Sequence, residues 1–145
     1  MEKKITKYKY IHCDIWKTGI SVFIGDTASL LKWAKKIYKE PEEQDMIRSI
    51  EMYGTKEEYE ERRVAGRLYH SDSGQYIVHV PTFSFTYNPT ELSIFSHELL
   101  HATFLMLDFL GVEYRYEGNN EPYTYTYEYF LKEALREKGY KEFKG

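Results

Sequence analysis

A chain of 145 residues is long enough for one domain with a real core and too short to expect two. Hydrophobic residues at 42% and charged residues at 30% fit an ordinary globular protein. A formal net charge of −3 excludes nucleic acid as the main partner, because phosphate recognition needs a concentrated basic patch.

The single Cys13 excludes an internal disulfide and fits a reducing compartment; its surroundings predict a strand-buried thiol rather than a nucleophile. The 15 tyrosines assign no ligand, since tyrosine fills strands and cores as readily as binding surfaces. Met1 to Lys7 is charged and lacks an apolar run, so no secretory leader is expected. The segment from Ile94 to Leu110 comes closest to a membrane span, but it carries two His, a Glu and an Asp. A cytoplasmic protein with no membrane partner is expected.

In chain order, residues 7–25 read as two strands around the Lys17-Thr18-Gly19 turn. Asp26 or Thr27 can cap a helix over 28–39, where Leu30, Leu31, Ala34, Ile37 and Tyr38 recur at helical spacing. Pro41 interrupts, and 42–53 forms a second helical stretch through Met46, Ile47, Ile50 and Tyr53. Residues 56–63 are charged and helical or loosely ordered. A second strand pair follows, 65–70 and 76–80, joined at Ser71-Asp72-Ser73-Gly74. Pro81 to Tyr87 reads as an irregular or edge segment, because proline lacks the ladder N–H.

The next helix is signalled at both ends. Asn88-Pro89-Thr90-Glu91 offers an N-cap, a proline at the first helical position and a Glu three residues after the cap; Gly111 marks the exit. Apolar residues cover nearly its whole circumference, which predicts a helix buried on most sides. Inside it lies His97-Glu98-Leu99-Leu100-His101. Helical residues four apart share a face, so both imidazoles can meet one Zn²⁺, with Glu98 beside it to take a proton from water. Gly118 to Pro122 starts a last helix, read as 121–138, although Tyr123 to Tyr127 alternates with the period of a strand.

Catalytic zinc takes three protein ligands, so two histidines need a partner from elsewhere. Asp108, Glu113, Glu117, Glu121, Glu128, His70 and His79 are the candidates. Asp108 lies seven residues past His101, roughly 10 Å along a straight helix, and cannot reach the same ion. Glu121 opens a helix that can fold back on the histidine helix.

At this point the sequence resembles the gluzincins, the thermolysin-like zinc peptidases, which pair HExxH with a downstream Asn-Glu opening another helix. Asn120-Glu121 is similar to that pair, His101 to Glu121 spans 20 residues, and the likeness covers 88–135. It implies zinc held by His97, His101 and Glu121, with Glu98 as the base. Tyr125 stands where the family places an Asp four residues after the ligand Glu. The chain after the last helix is too short for the family's large C-terminal subdomain. It looks more like the very small gluzincins and short HExxH proteins of bacteriophages, which would place a phage-encoded chain in the host cytoplasm.

The expectation is therefore a single α+β, zincin-like domain over 1–145, with a small, mostly antiparallel sheet packed on helices around the HExxH helix. It would hydrolyse a peptide or protein substrate. The oxyanion would take a donor from Tyr125, His79 or another tyrosine. The strand 76–80 is expected at the sheet edge, where an extended substrate could pair. Two alternatives stand beside this: a binding or regulatory module that keeps the architecture without turnover, and a zinc hydrolase acting on a non-peptide amide.

Overall fold

The computed structural model describes residues 5–54, 65–118 and 120–145; the charged stretch 56–63 lies outside the described residues. The architecture is α+β. Strands β1 (Lys7–Cys13), β2 (Thr18–Ile24), β3 (Arg67–His70), β4 (Tyr76–Val80) and β5 (Lys141–Glu142) form one sheet in the order β3-β4-β2-β1-β5. All pairings are antiparallel except β2 with β4, which is parallel, with Ser21 opposite Ile77 and Ile24 opposite Val80.

Side-chain alternation along the strands makes two cores, one on each face of the sheet. Ile20, Val22 and Ile24 of β2 and Tyr76, Val78 and Val80 of β4 point to one face, and Phe23 and Ile77 point to the other. Both strands are buried on both faces, which is why they read as near-continuous apolar runs. The expected place of 76–80 at the sheet edge is therefore wrong. β4 is internal, bonded on one side to β2 and on the other to β3, and β3 is the edge.

The second face is covered by α1 (Thr27–Ile37) and α2 (Gln44–Tyr53), with Leu30, Trp33, Met46, Ile47 and Ile50 buried against Phe23 and Ile77. Asp26 caps α1 by accepting from the Ser29 N–H at 2.7 Å. The helix expected from residue 42 begins as a 3₁₀ turn, Pro41–Glu43, that runs into α2.

The first face carries α3 (Pro89–Phe109) and α4 (Glu121–Leu135). Asn88 caps α3: its Oδ1 accepts from the Glu91 N–H at 2.9 Å and its Nδ2 donates to the Glu91 carboxylate at 2.7 Å. Residues 81–87, before this helix, form no strand. Phe85 and Tyr87 take positive φ there, 56° and 61°. Tyr87 Oη donates to the Leu135 carbonyl at 2.9 Å, and Phe83 stacks on Phe95 with ring centroids 4.7 Å apart. The segment is thereby tied to both helices.

The alternating Tyr123–Tyr127 run is helical, and α4 ends at Leu135 rather than 138. α4 runs antiparallel to α3: Tyr127 meets Ser96 by a hydroxyl–hydroxyl bond, and Tyr123 packs on Phe104 at 4.9 Å. Lys9 of β1 crosses to its C-terminal end, donating to the carbonyls of Glu133, Arg136 and Lys138 at 2.6, 3.2 and 2.9 Å. A cation there meets the negative end of the helix dipole. Among the described residues, no helix is long and apolar enough to cross a membrane.

Candidate metal centre

Phe95, Leu99, Ala102 and Met106 form the stripe that seats α3 on the sheet, and all four are fully buried. His97 and His101, four residues apart, are on the exposed side of the helix. Their Nε2 atoms lie 3.1 Å apart, with the rings inclined at 81°. Two nitrogens bound at 2.0–2.1 Å to one tetrahedral zinc are separated by about 3.3 Å. The observed separation is close to one edge of such a tetrahedron.

The expectation that α3 is buried on most sides needs correction. Leu100, Phe104, Leu105, Phe109 and Leu110 are between 38% and 54% exposed, so the histidines look out over a half-open apolar surface. Among the described residues the helix faces one sheet and one neighbouring helix, which cannot cover its whole circumference. Burial bears instead on Glu98, only 9% exposed. Burial raises its carboxyl above the ordinary range, against the lowering influence of His97, His101 and Arg67.

His79, one of the possible oxyanion donors, lies on the other side of the sheet from the histidine pair. It is fully buried on the α1 side of the sheet, beside Phe23, with α3 on the opposite face. Its Nε2 donates to the Gly25 carbonyl at 2.7 Å, and desolvation takes its pKa down to about 4. Alternation along β4 decides this, because Val78 and Val80 are the residues that face α3. Tyr125 is 67% exposed and lines a cleft against the β1–β2 turn with Cys13, Asp14, Ile15 and Glu128. His70 lines a crevice against α2 with Asp45 and Tyr53, and Glu113 pairs with Arg115 at 3.2 Å. Asp108 and Glu117 are exposed.

Glu121 is the exposed first residue of α4. Among the described residues no group of three His, Cys, Asp or Glu side chains is gathered to hold a metal. The structure thus brings His97 and His101 together, sets Glu98 in the same helical turn, and does not bring Glu121 to them. The antiparallel course of α4 carries its first turn toward the C-terminal half of α3, where Tyr123 packs on Phe104.

One neighbour of the centre had no signal in the sequence. Gly66, just before β3, is buried against Glu98 and Ile94. Within the expected strand 65–70 the glycine carried no further signal, and only the packing of β3 on α3 gives it another meaning.

Comparison with protein-family models, curated proteins and solved structures finds no match to this chain.

Proposed function

We propose that this chain is a zincin-like, zinc-dependent peptidase domain that hydrolyses a peptide bond in a peptide or protein substrate. The observation that carries the reading is the 3.1 Å approach of the two imidazole Nε2 atoms on a helix whose Glu98 is buried beside them. His97 and His101 would hold the ion, and Glu121, on the helix packed against theirs though not gathered into one group with them in this structure, is the third ligand this reading requires; zinc, when bound, would supply Lewis acidity at the scissile carbonyl. Glu98 accepts a proton from the attacking water as the new C–O bond forms. It then delivers that proton to the amine nitrogen as the C–N bond breaks.

The open edge of β3, which carries no further strand among the described residues, supports docking of an extended substrate by strand addition. With β4 internal, that role moves to β3. The buried free thiol of Cys13 supports a cytoplasmic setting. A module that binds protein without turnover is favoured by one observation, the half-exposed apolar row beside the histidines.

Metal analysis of protein purified without chelator, with two variants, separates these readings. A peptidase carries about one zinc per chain, and Glu121→Ala loses most of it. Glu98→Gln keeps the zinc and loses on the order of 10²–10⁴-fold in turnover. Zinc retained in Glu121→Ala removes that residue from the site. Unchanged partner binding with no turnover in any form selects the binding module.

A further inference from the structure

Gly66 is buried where the chain enters β3, and its backbone does not use a positive φ. The residue is required there for space rather than for conformational freedom. A Cβ at this position would sit 3.2 Å from each of three atoms: Glu98 Cγ, Ile94 Cγ2 and the His79 carbonyl oxygen. Contacts that short require a neighbour to yield.

The three neighbours differ in how readily they give. The His79 oxygen belongs to the backbone of the internal strand β4, directly opposite Arg67 in the register, so it is held by the sheet. Ile94 is β-branched on a helix, with one strongly preferred rotamer. Glu98 is unbranched at Cβ and the most easily displaced of the three. We infer that Gly66 is a positioning residue for the proposed hydrolysis: its missing side chain is the space in which the Glu98 stem is seated.

This inference rests on the peptidase reading for its kinetic consequence but not for its structural one. In a crystal structure of Gly66→Ala, Glu98 Cγ should shift by a few tenths of an ångström while the histidine pair stays in place. With fluorescein-labelled casein as probe, kcat should fall about 10–100-fold with KM, zinc content and melting midpoint retained, as a misplaced catalytic group does. In the Glu98→Gln background the same substitution should cause no further loss. Gly66→Ala/Ile94→Ala, which gives the added methyl somewhere to go, should return Glu98 toward its place and restore turnover; it also serves if the single variant folds poorly. An unmoved Glu98 in the Gly66→Ala crystal, or a loss that persists in the Glu98→Gln background, overturns the inference. If wild-type protein cleaves no casein, the peptidase reading is what fails, and the crystallographic position of Glu98 still decides the role of Gly66.

Discussion

His79 shows how one buried residue makes stability depend on pH. Its Nε2–H is held by the Gly25 carbonyl at 2.7 Å, and desolvation lowers its pKa from 6.5 to about 4. Between those values the unfolded chain binds a proton that the folded chain refuses, so stability falls as pH drops. At 1.36 kcal/mol per pH unit the loss across the window is roughly 3 kcal/mol. Urea unfolding of chelated protein between pH 7 and 4 should show this slope. His79→Gln, which can still donate to Gly25, should flatten it; an equal slope in both proteins would assign the acid sensitivity elsewhere. The HExxH spacing put the two imidazoles together from sequence alone. It could not tell which strand face His79 takes, since that depends on where the sheet meets each helical layer.

At the scale of elements, α3 is the best-signalled segment of the chain. Its cap is realised as the Asn88 side chain on the Glu91 N–H, with the Glu91 carboxylate held in return by the Asn88 amide. Asn88→Ala should lower global stability by about 1 kcal/mol, and hydrogen exchange should show the extra fraying confined to the first turn of α3. An unchanged first turn would mean that Phe83 and Tyr87 hold the helix start without the cap. In α4 the local signal was divided. Tyr123 to Tyr127 alternates like a strand, yet Tyr123, Phe130 and Ala134 are buried on one helical stripe and decide the outcome. The two-residue β5 left no periodicity to read. It forms because the chain after α4 returns to Lys7 and Tyr8, where the Phe143 N–H also reaches the Thr6 carbonyl at 2.9 Å.

Across the whole molecule, the sheet couples helices that are distant in sequence. Lys9 is the clearest link: a β1 ammonium satisfying three carbonyls around the end of α4. Desolvation is the leading influence on its pKa and lowers it, against the opposing charge of Glu133. Lys9→Met strands those carbonyls, which should reduce stability by roughly 1–3 kcal/mol. Faster hydrogen exchange in the last turns of α4 would follow, and zinc affinity would fall if Glu121 is a ligand, because that residue rides on the same helix. Exchange unchanged in α4 would show that burial of its Phe130 and Ala134 in the core with Ile11 docks the helix by itself.

Short-range patterns by themselves determined the α+β class, the four long strands, the caps of α1 and α3, and the meeting of His97 with His101. Those depend on side-chain period and on bonds spanning a few residues, which a linear sequence carries intact. Tertiary structure alone decided that β4 is internal and β3 the edge, that His79 faces α1, that α3 leaves an apolar face half open, and that Gly66 makes room for Glu98. Each of these is a relation between segments whose relative placement follows from burying two sheet faces at once, and local chemistry does not encode it.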